Sequence, residues 1–543
     1  MKVTTMAMEI SYNGNYATTS GKSVRRNGTV SKEGRIYLGR VIDKEKNIFK
    51  SRKNGLFMFN PETEEILPVP ADFKEPKIKR KKKNRDRVKL CVSFGDLFLL
   101  DSFIKEIDFY SVVDATAYRN KDSLHALLAF YCLAPYANSY AESWWELTYA
   151  RYLYPGAQLA SQRISEMLVD IGSEESKRRF FSMYLKWIPN LKKDDSNDNV
   201  ITAGINDGIL IDSTGMPNDA HLPVTAISNH NGVISNETRL IYVIQQDTGI
   251  PLYFRYVAGN VIDAVTVRRT KADLASLGIT SKFAILDAGY YNGKNADALH
   301  EEGIDFLSRL HRSNKIYKQI LRENSANVIQ KKNLVLFHKR AVYVVCIKCK
   351  IGSNEDIDAY TYLGYDINMC DETRSKLQQR LADGKITPGE VHGAIKNAGY
   401  FALISTKKVS TDKILPLYYT REQVEDLFKI TKGKSKLLPL NLEKEEVLRG
   451  HLMMTFMATV INKFMMDKLK STQLTLSKAL FVLHEQKAEI FRDGIHVGEP
   501  VKLMNIAYKA FGIKCPVVVD YVAPEWLLKE FDAIENGYVN NDL

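Results

Sequence analysis

Cysteine is sparse in this chain. Six of 543 residues are cysteine (Cys91, Cys132, Cys346, Cys349, Cys370 and Cys515), too scattered for a disulfide framework, which points to a reducing compartment. Only Cys346 and Cys349 stand close, as a lone C-x-x-C in the alternating run AVYVVCIKCKI with no second Cys/His pair at finger spacing. That pattern reads as a strand rather than a zinc site. Long apolar runs are missing too. The most apolar helical stretch, LMMTFMATVI (Leu452–Ile461), stops after ten residues at Asn462 and Lys463, about half of a bilayer span, and its methionines suit helix packing. The opening MKVTTMAMEISYNGNY lacks a charged lead followed by an apolar stretch, so no secretory signal is read there. No internal repeat is visible. These absences predict a soluble cytoplasmic protein with no membrane partner.

What is present is ordinary globular composition with a local excess of positive charge. Hydrophobic residues make up 45% and charged residues 26%, within the usual range, and the length suits about three or four domains. The net charge is +12, and KIKRKKKNRDRVK (Lys77–Lys89) supplies eight of it with nine basic residues and one acid. Such concentration suits a polyanion, DNA or RNA. A solvated basic linker is the other reading.

Composition and periodicity divide the chain. Residues 1–33 are rich in Ser, Thr, Asn and Gly and read as a disordered tail. Residues 34–76 alternate between Asn-Gly and Asn-Pro turn signals, as a small β domain does. The basic linker spans 77–90. From 91 to 205, SLHALLAFYCLAPYA, SWWELTYARYLY and ASQRISEMLVDIG have helical periodicity and predict a helical domain. Near Asp207 short apolar strands begin. GILIDST ends at Asp212, and RLIYVIQQDTGIPLYFRYV is a hairpin turning at Asp247–Gly249. VIDAVTVRRTKADLASLG reads as a helix, KFAILDAGYY as a strand ending at Asp287, and GIDFLSRL as a further strand. This alternation predicts an α/β layer over 206–310. A β-rich insertion follows at 311–397, then a return to the layer at 398–440 through the strand GYFALIST, and a mainly helical region at 441–543.

The stretch YYTREQVEDLFKITKG, Tyr418 to Gly433, spaces Tyr418, Arg421, Glu425 and Lys432 by 3, 4 and 7 residues. That is one face of a single helix, with Val424, Leu427 and Thr431 turned to a core. A surface salt-bridge ladder is one reading of it. Asp212 and Asp287 end predicted core strands, where open α/β sheets bind ligands; a cap on the following turn is the alternative for each. Three acids brought together with no arginine partner would repel one another, and a hard divalent cation relieves that. Two such ions about 4 Å apart suit in-line phosphoryl transfer.

With Tyr418, Arg421, Glu425 and Lys432 the chain resembles the DDE-type bacterial insertion-sequence transposases marked by a Tyr-x2-Arg-x3-Glu-x6-Lys signature, matched here without a gap. GILIDSTGMP around Asp212, YVAGNVIDAVTV (Tyr256–Val267) and AILDAGYYN around Asp287 are similar to that family's strand segments in the same order, and LFMFNPETEEILP echoes its N-terminal turn chemistry. The similarity spans roughly Gly34 to Leu483.

The resemblance implies an α/β fold whose catalytic core is an RNase H-like mixed sheet interrupted by the β-rich insertion, with an N-terminal β segment, an N-terminal helical domain and a C-terminal helical region. It implies that Asp212, Asp287 and Glu425 are catalytic and hold Mg²⁺ or Mn²⁺, as two ions. Tyr418, Arg421 and Lys432 would face transposon-end DNA, the arginine and lysine on phosphates. Lys79, Arg80, Lys81, Lys82 and Lys83 would grip further phosphates, which position a protein without specifying sequence. The implied function is a transposase that binds terminal inverted repeats, cuts a strand and joins the freed 3′-OH to target DNA, as a homodimer on double-stranded DNA in the bacterial cytoplasm at the nucleoid.

Hairpin-forming relatives keep a tryptophan in the insertion, whereas Trp144, Trp145, Trp187 and Trp526 all lie outside 311–397. A hairpin step therefore does not follow from the resemblance, although Tyr or Phe can also stack a base. Trp144 and Trp145 read as helical-domain packing, and His221 and His230 as loop residues rather than ligands. Asp263 reads as a helix cap or as support for the acids, and Tyr290 and Tyr291 as DNA contacts or packing. Two other classes compete. A transposase-derived DNA-binding protein without catalysis would be marked by loss of an acid, and an RNase H-like nuclease would cut without joining. All three acids are present, and they act together only if Glu425 meets Asp287 across 138 residues.

Overall fold

Short alternating segments build the N-terminal part of the chain. The structure, a computed structural model, describes residues 9–70, 73, 90–190, 208–433 and 435–535, except 15, 21, 27, 28, 231, 232, 262, 280, 436, 439 and 441. The basic run Lys77–Lys89, with Lys79, Arg80, Lys81, Lys82 and Lys83, lies outside the described residues. The chain divides into two compact units, Met1–Arg87 and Val88–Leu543.

The first unit contains β1 (Ile10–Asn13), β2 (Tyr16–Thr19), β3 (Lys22–Arg26), β4 (Thr29–Glu33), β5 (Tyr37–Asp43), β6 (Ile48–Ser51), β7 (Gly55–Asn60) and β8 (Glu65–Leu67). Six of them form an antiparallel sheet in the order β1-β2-β5-β6-β7-β8, and β3 pairs with β4. Ala17, Leu38, Phe49, Phe57 and Phe59 make its small core. Gly39, at φ +90°, packs where a Cβ would collide with the Lys50 carbonyl, so only glycine fits. The disordered tail expected at 1–33 is corrected from Ile10 onward by these first strands, and residues 1–8 lie outside the described residues. A sheet with one wet face tolerates Ser, Thr and Asn, and Ala17 and Thr19 suffice for the buried side of β2.

The second unit opens with β9 (Leu90–Ser93) and α1 (Gly95–Glu106), α2 (Phe109–Asp114), α3 (Lys121–Leu133), α4 (Ala141–Leu147), α5 (Ala150–Leu153), α6 (Ser161–Ile171) and α7 (Glu174–Asn190). Asn120 caps α3 by accepting from the Ser123 amide at 3.0 Å. Along α6, Ile164, Met167, Leu168 and Ile171 are buried at helical spacing.

A mixed sheet then forms from β10 (Ile209–Pro217), β11 (Ala226–His230), β12 (Val233–Gln245), β13 (Pro251–Ala258), β14 (Phe283–Leu286) and β15 (Asp305–Arg309), with α8 (Asp263–Ser276) and α9 (Gly293–Glu301) as crossovers. Strands β10, β14 and β15 run parallel, which is why helices must connect them. The sheet continues through α10 (Lys315–Val328), β16 (Leu334–Phe337), β17 (Arg340–Ile351), β18 (Ile357–Asp366), α11 (Ile367–Ala382), α12 (Pro388–Ile395) and β19 (Tyr400–Ser405). Its order is β11-β12-β10-β14-β15-β19-β18-β17-β16, with β13 also on β12. The segment expected as a β-rich insertion thus contributes three strands to the same sheet and three helices beside them.

After α13 (Thr411–Tyr419) and α14 (Glu422–Gly433) comes the long α15 (Glu445–Leu469). Every residue from Leu452 to Asn462 is buried, as in a helix surrounded by protein. Phe456 packs against Phe181 of α7 and Phe254 of β13, with ring centroids 5.4 and 5.2 Å away, so α15 joins the helical segment to the sheet. No helix among the described residues is long and apolar enough to cross a membrane. The C-terminal part holds α16 (Leu476–His484), β20 (Lys487–Phe491), β21 (Gly494–Val497), α17 (Lys502–Phe511), β22 (Val518–Val519) and α18 (Glu525–Glu535). Expected as helical, it also forms a small sheet, β22-β21-β20-β9, that takes its last strand from the start of the unit.

Candidate active site

The parallel ladder between β10 and β14 pairs Ile209 with Ala284, Leu210 with Ile285 and Ile211 with Leu286. It ends there, so Asp212 and Asp287 stand level, one residue beyond the last pair, on neighbouring strands about 4.8 Å apart. The expectation that β10 ends at Asp212 is corrected. The strand runs on to Pro217 because its other edge stays paired with β12, Asp212 opposite Tyr242. Asp287 does begin a turn, Ala288–Tyr290, but its side chain makes no cap bond there. It points elsewhere.

Glu425 arrives on α14. Phe428 stacks on Tyr242 with ring centroids 5.3 Å apart and planes 10° from parallel, which lays the helix over the strand that pairs with Asp212. Thr459 of α15 donates to Thr431 at 3.2 Å and fixes the far side. The single helix expected through Tyr418, Arg421, Glu425 and Lys432 is corrected. The chain breaks at Thr420–Arg421 between α13 and α14, where amides bond three residues back, Arg421 to Tyr418 at 3.1 Å and Val424 to Arg421 at 2.9 Å. This tight turn separates Tyr418 on α13 from Glu425 and Lys432 on α14, while Arg421 still pairs with Glu425 four residues on.

From this turn Arg421 reaches all three acids. Its Nη1 lies 3.0 Å from Asp212 Oδ2 and 3.6 Å from Asp287 Oδ1, and its Nη2 lies 2.8 Å from Glu425 Oε1. Glu425 therefore does meet Asp212 and Asp287, through one guanidinium. Tyr418 is 4% exposed, and its hydroxyl donates to Asp287 Oδ1 at 3.5 Å. Burial pushes the Tyr418 phenol up, with Asp287 adding to the rise and Arg421 and Arg309 opposing it. Burial works against the charge of Arg421, yet Asp287, Tyr418, Asp212 and Glu425 together raise its pKa. The expectation of three acids without an arginine partner is thus corrected.

The donor set fits a hard divalent cation in chemistry: three carboxylates, no thiol or imidazole, with Asp287 and Glu425 side chains 39% and 47% exposed. Among the described residues no three acidic, His or Cys side chains are gathered as a metal cluster, and Arg421 is the group the acids close upon. A cation entering between them would take over its role as counter-charge.

Lys432, the last residue of the signature, does not join this cluster. It is half-buried near the end of α14, where burial depresses its ammonium and the Glu237 carboxylate opposes the drop. Glu237, 2% exposed on β12, went unnoticed in the sequence. So did Arg309. The pairing of Leu286 with Ser308 sets Arg309 level with Asp287, as Asp287 is with Asp212. Only sheet register reveals this row of Asp, Asp and Arg. Tyr290 is fully buried and His221 exposed. Cys346 and Cys349 sit three apart on β17, a spacing that turns their side chains to opposite faces.

Residues 204–461 match the family model described as Transposase DDE domain. The match identifies a DDE-type transposase domain, a class that cleaves DNA, within that stretch of the chain. No curated protein matches it. Among solved structures it is similar to a cryo-EM structure of the piggyBac transposase synaptic complex with hairpin DNA, at 12% identity and a TM-score of 0.37, over 82% of this chain and 85% of that one.

Proposed function

We propose that the chain is an insertion-sequence transposase that binds terminal inverted repeats and catalyses metal-dependent strand cleavage and strand transfer, with Asp212, Asp287 and Glu425 as its catalytic acids. The observation that carries this reading is their convergence from β10, from the turn after β14 and from α14 onto one guanidinium. The order β13-β12-β10-β14-β15, with the last three strands parallel, supports an RNase H-like core. Asp212, Asp287 and Glu425 would hold two Mg²⁺ ions, which when bound supply Lewis-acid stabilisation of phosphoryl oxygens. The chain's own part is positioning. Arg421 forks onto a phosphate bidentately, Arg309 adds positive charge level with Asp287, and Lys432 meets a further phosphate from the end of α14. The basic run adds sequence-independent phosphate contacts, and the N-terminal β unit and the helical segment read the repeat. Two copies on two ends make the synapse.

The test is a Mg²⁺-dependent assay on oligonucleotides carrying the inverted repeats read from the DNA flanking the gene. Cutting followed by joining to a target supports a transposase. Cutting without joining would make the protein a nuclease, and binding without cutting a DNA-binding derivative.

A further inference from the structure

We infer that Arg421 is a built-in counter-cation of the acidic cluster, exchanged for divalent metal only when DNA phosphate receives the guanidinium, so that metal loading and DNA binding are coupled. The inference rests on the proposed role of the three acids and concerns the regulation of that same site.

One guanidinium reaches Asp212, Asp287 and Glu425 at 3.0, 3.6 and 2.8 Å. Each of the three acids pairs with this one side chain. A divalent cation held by Asp212, Asp287 and Glu425 would compete with Arg421, which now takes one oxygen of each. Two cationic groups crowded among the same acids would repel, so the guanidinium must leave as the metal enters. The backbone gives it the means. Arg421 sits in the turn between α13 and α14, where its amide bonds Tyr418 rather than a helical partner four residues back, so its side chain can swing without unwinding either helix. A guanidinium is more weakly hydrated than an ammonium. A phosphate offers it the same planar, two-oxygen recognition it leaves behind.

Thermodynamic linkage then fixes the consequences. If DNA phosphate draws Arg421 out, DNA raises the affinity for metal, and metal raises the affinity for DNA by the same factor. Without DNA, the site holds its acids together by its own arginine and keeps divalent ions weakly. A chain that cuts DNA is thereby kept from assembling its metal centre away from its substrate. Arg421 is a positioning residue in this scheme.

The test follows Mn²⁺ binding by the loss of the free-ion electron paramagnetic resonance signal, using the full chain. Without DNA, Arg421→Ala should bind Mn²⁺ more tightly than wild type, by about 5–150-fold, and Arg421→Lys should fall between them. A mixed-sequence DNA duplex should tighten Mn²⁺ binding to wild type, after subtraction of ions held by the duplex alone, and leave Arg421→Ala unchanged. Equal affinity of wild type and Arg421→Ala, or a DNA effect that survives in Arg421→Ala, would overturn the inference. Asp212→Asn separates this from failure of the functional reading. If it weakens Mn²⁺ binding while Arg421→Ala has no effect, the acids bind metal and only the exchange is wrong. If Asp212→Asn changes nothing in either background, the metal site itself is misassigned. Should Arg421→Ala fail to fold, judged by its thermal melt, Arg421→Lys and the DNA effect on wild type decide alone.

Discussion

Arg421 Nη1 stands 3.0 Å from Asp212 Oδ2 although 209 residues separate them in the chain. The contact joins the first strand of the parallel group to the turn that opens α14, and it draws Asp287 and Glu425 into one electrostatic unit. Charged side chains this far apart in sequence meet because α14 is seated over the sheet, with Phe428 stacked on Tyr242 and Thr431 bonded to Thr459. Packing therefore sets the chemistry of the site.

Tyr418 separates packing from polar contact. Its ring is buried, but its hydroxyl reaches Asp287 only at 3.5 Å. Tyr418→Phe should cost about 1 kcal/mol or less in stability, whereas Tyr418→Ala should cost about 3–5 kcal/mol. Urea denaturation of the two variants measures the difference.

The crossing of α6 and α15 depends on Gly450, where a Cβ would collide with the Leu168 carbonyl. Alanine normally favours a helix interior by about 0.5–1 kcal/mol over glycine. Here overpacking should win, and Gly450→Ala should destabilise by about 1–3 kcal/mol. A stabilised variant in chemical denaturation would show that the helices do not cross this closely.

His484 links α16 to α1 through an Nδ1 contact at 2.8 Å with Asp96 Oδ2, and that carboxylate, its bond first and then its charge outweighing burial, raises the imidazole pKa above its ordinary 6.5. A raised histidine contributes stability that is fully present below 6.5 and is lost as pH rises through the folded-state value. The urea midpoint of wild type should exceed that of His484→Gln most at about pH 6 and converge toward it by about pH 8. A constant gap across that range would mean that the pair does not titrate.

Replacing Lys79, Arg80, Lys81, Lys82 and Lys83 with glutamine should weaken DNA binding evenly across sequences. Each lost phosphate contact should flatten the slope of log affinity against log salt by about 0.9. An unchanged slope, measured by fluorescence anisotropy, would make the run a linker.

The three acids were legible because each carries a local signal: Asp212 and Asp287 close apolar runs, and Glu425 sits in a spaced signature. The contact of Arg421 with Glu425 was open to the ladder reading, but its contacts with Asp212 and Asp287 were not legible. Helical periodicity assumes an unbroken helix, and the Thr420–Arg421 turn follows from hydrogen bonding that no spacing encodes. Arg309 was hidden for a related reason, since its level with Asp287 is a property of register between β14 and β15. Strands β20 and β21 escaped notice as short runs around Asp493-Gly494 whose pairing with β9 spans nearly the whole second unit. Polar strands β1 to β4 lacked the apolar content that distinguishes a strand from a tail.

Strand cleavage by Asp212→Asn, Asp287→Asn and Glu425→Gln tests the account most directly, measured with Mg²⁺ on DNA carrying the element's ends. All three variants should bind the DNA and lose cleavage by about a hundredfold or more. Cleavage at the wild-type rate by any one of them would contradict the shared role of the three acids.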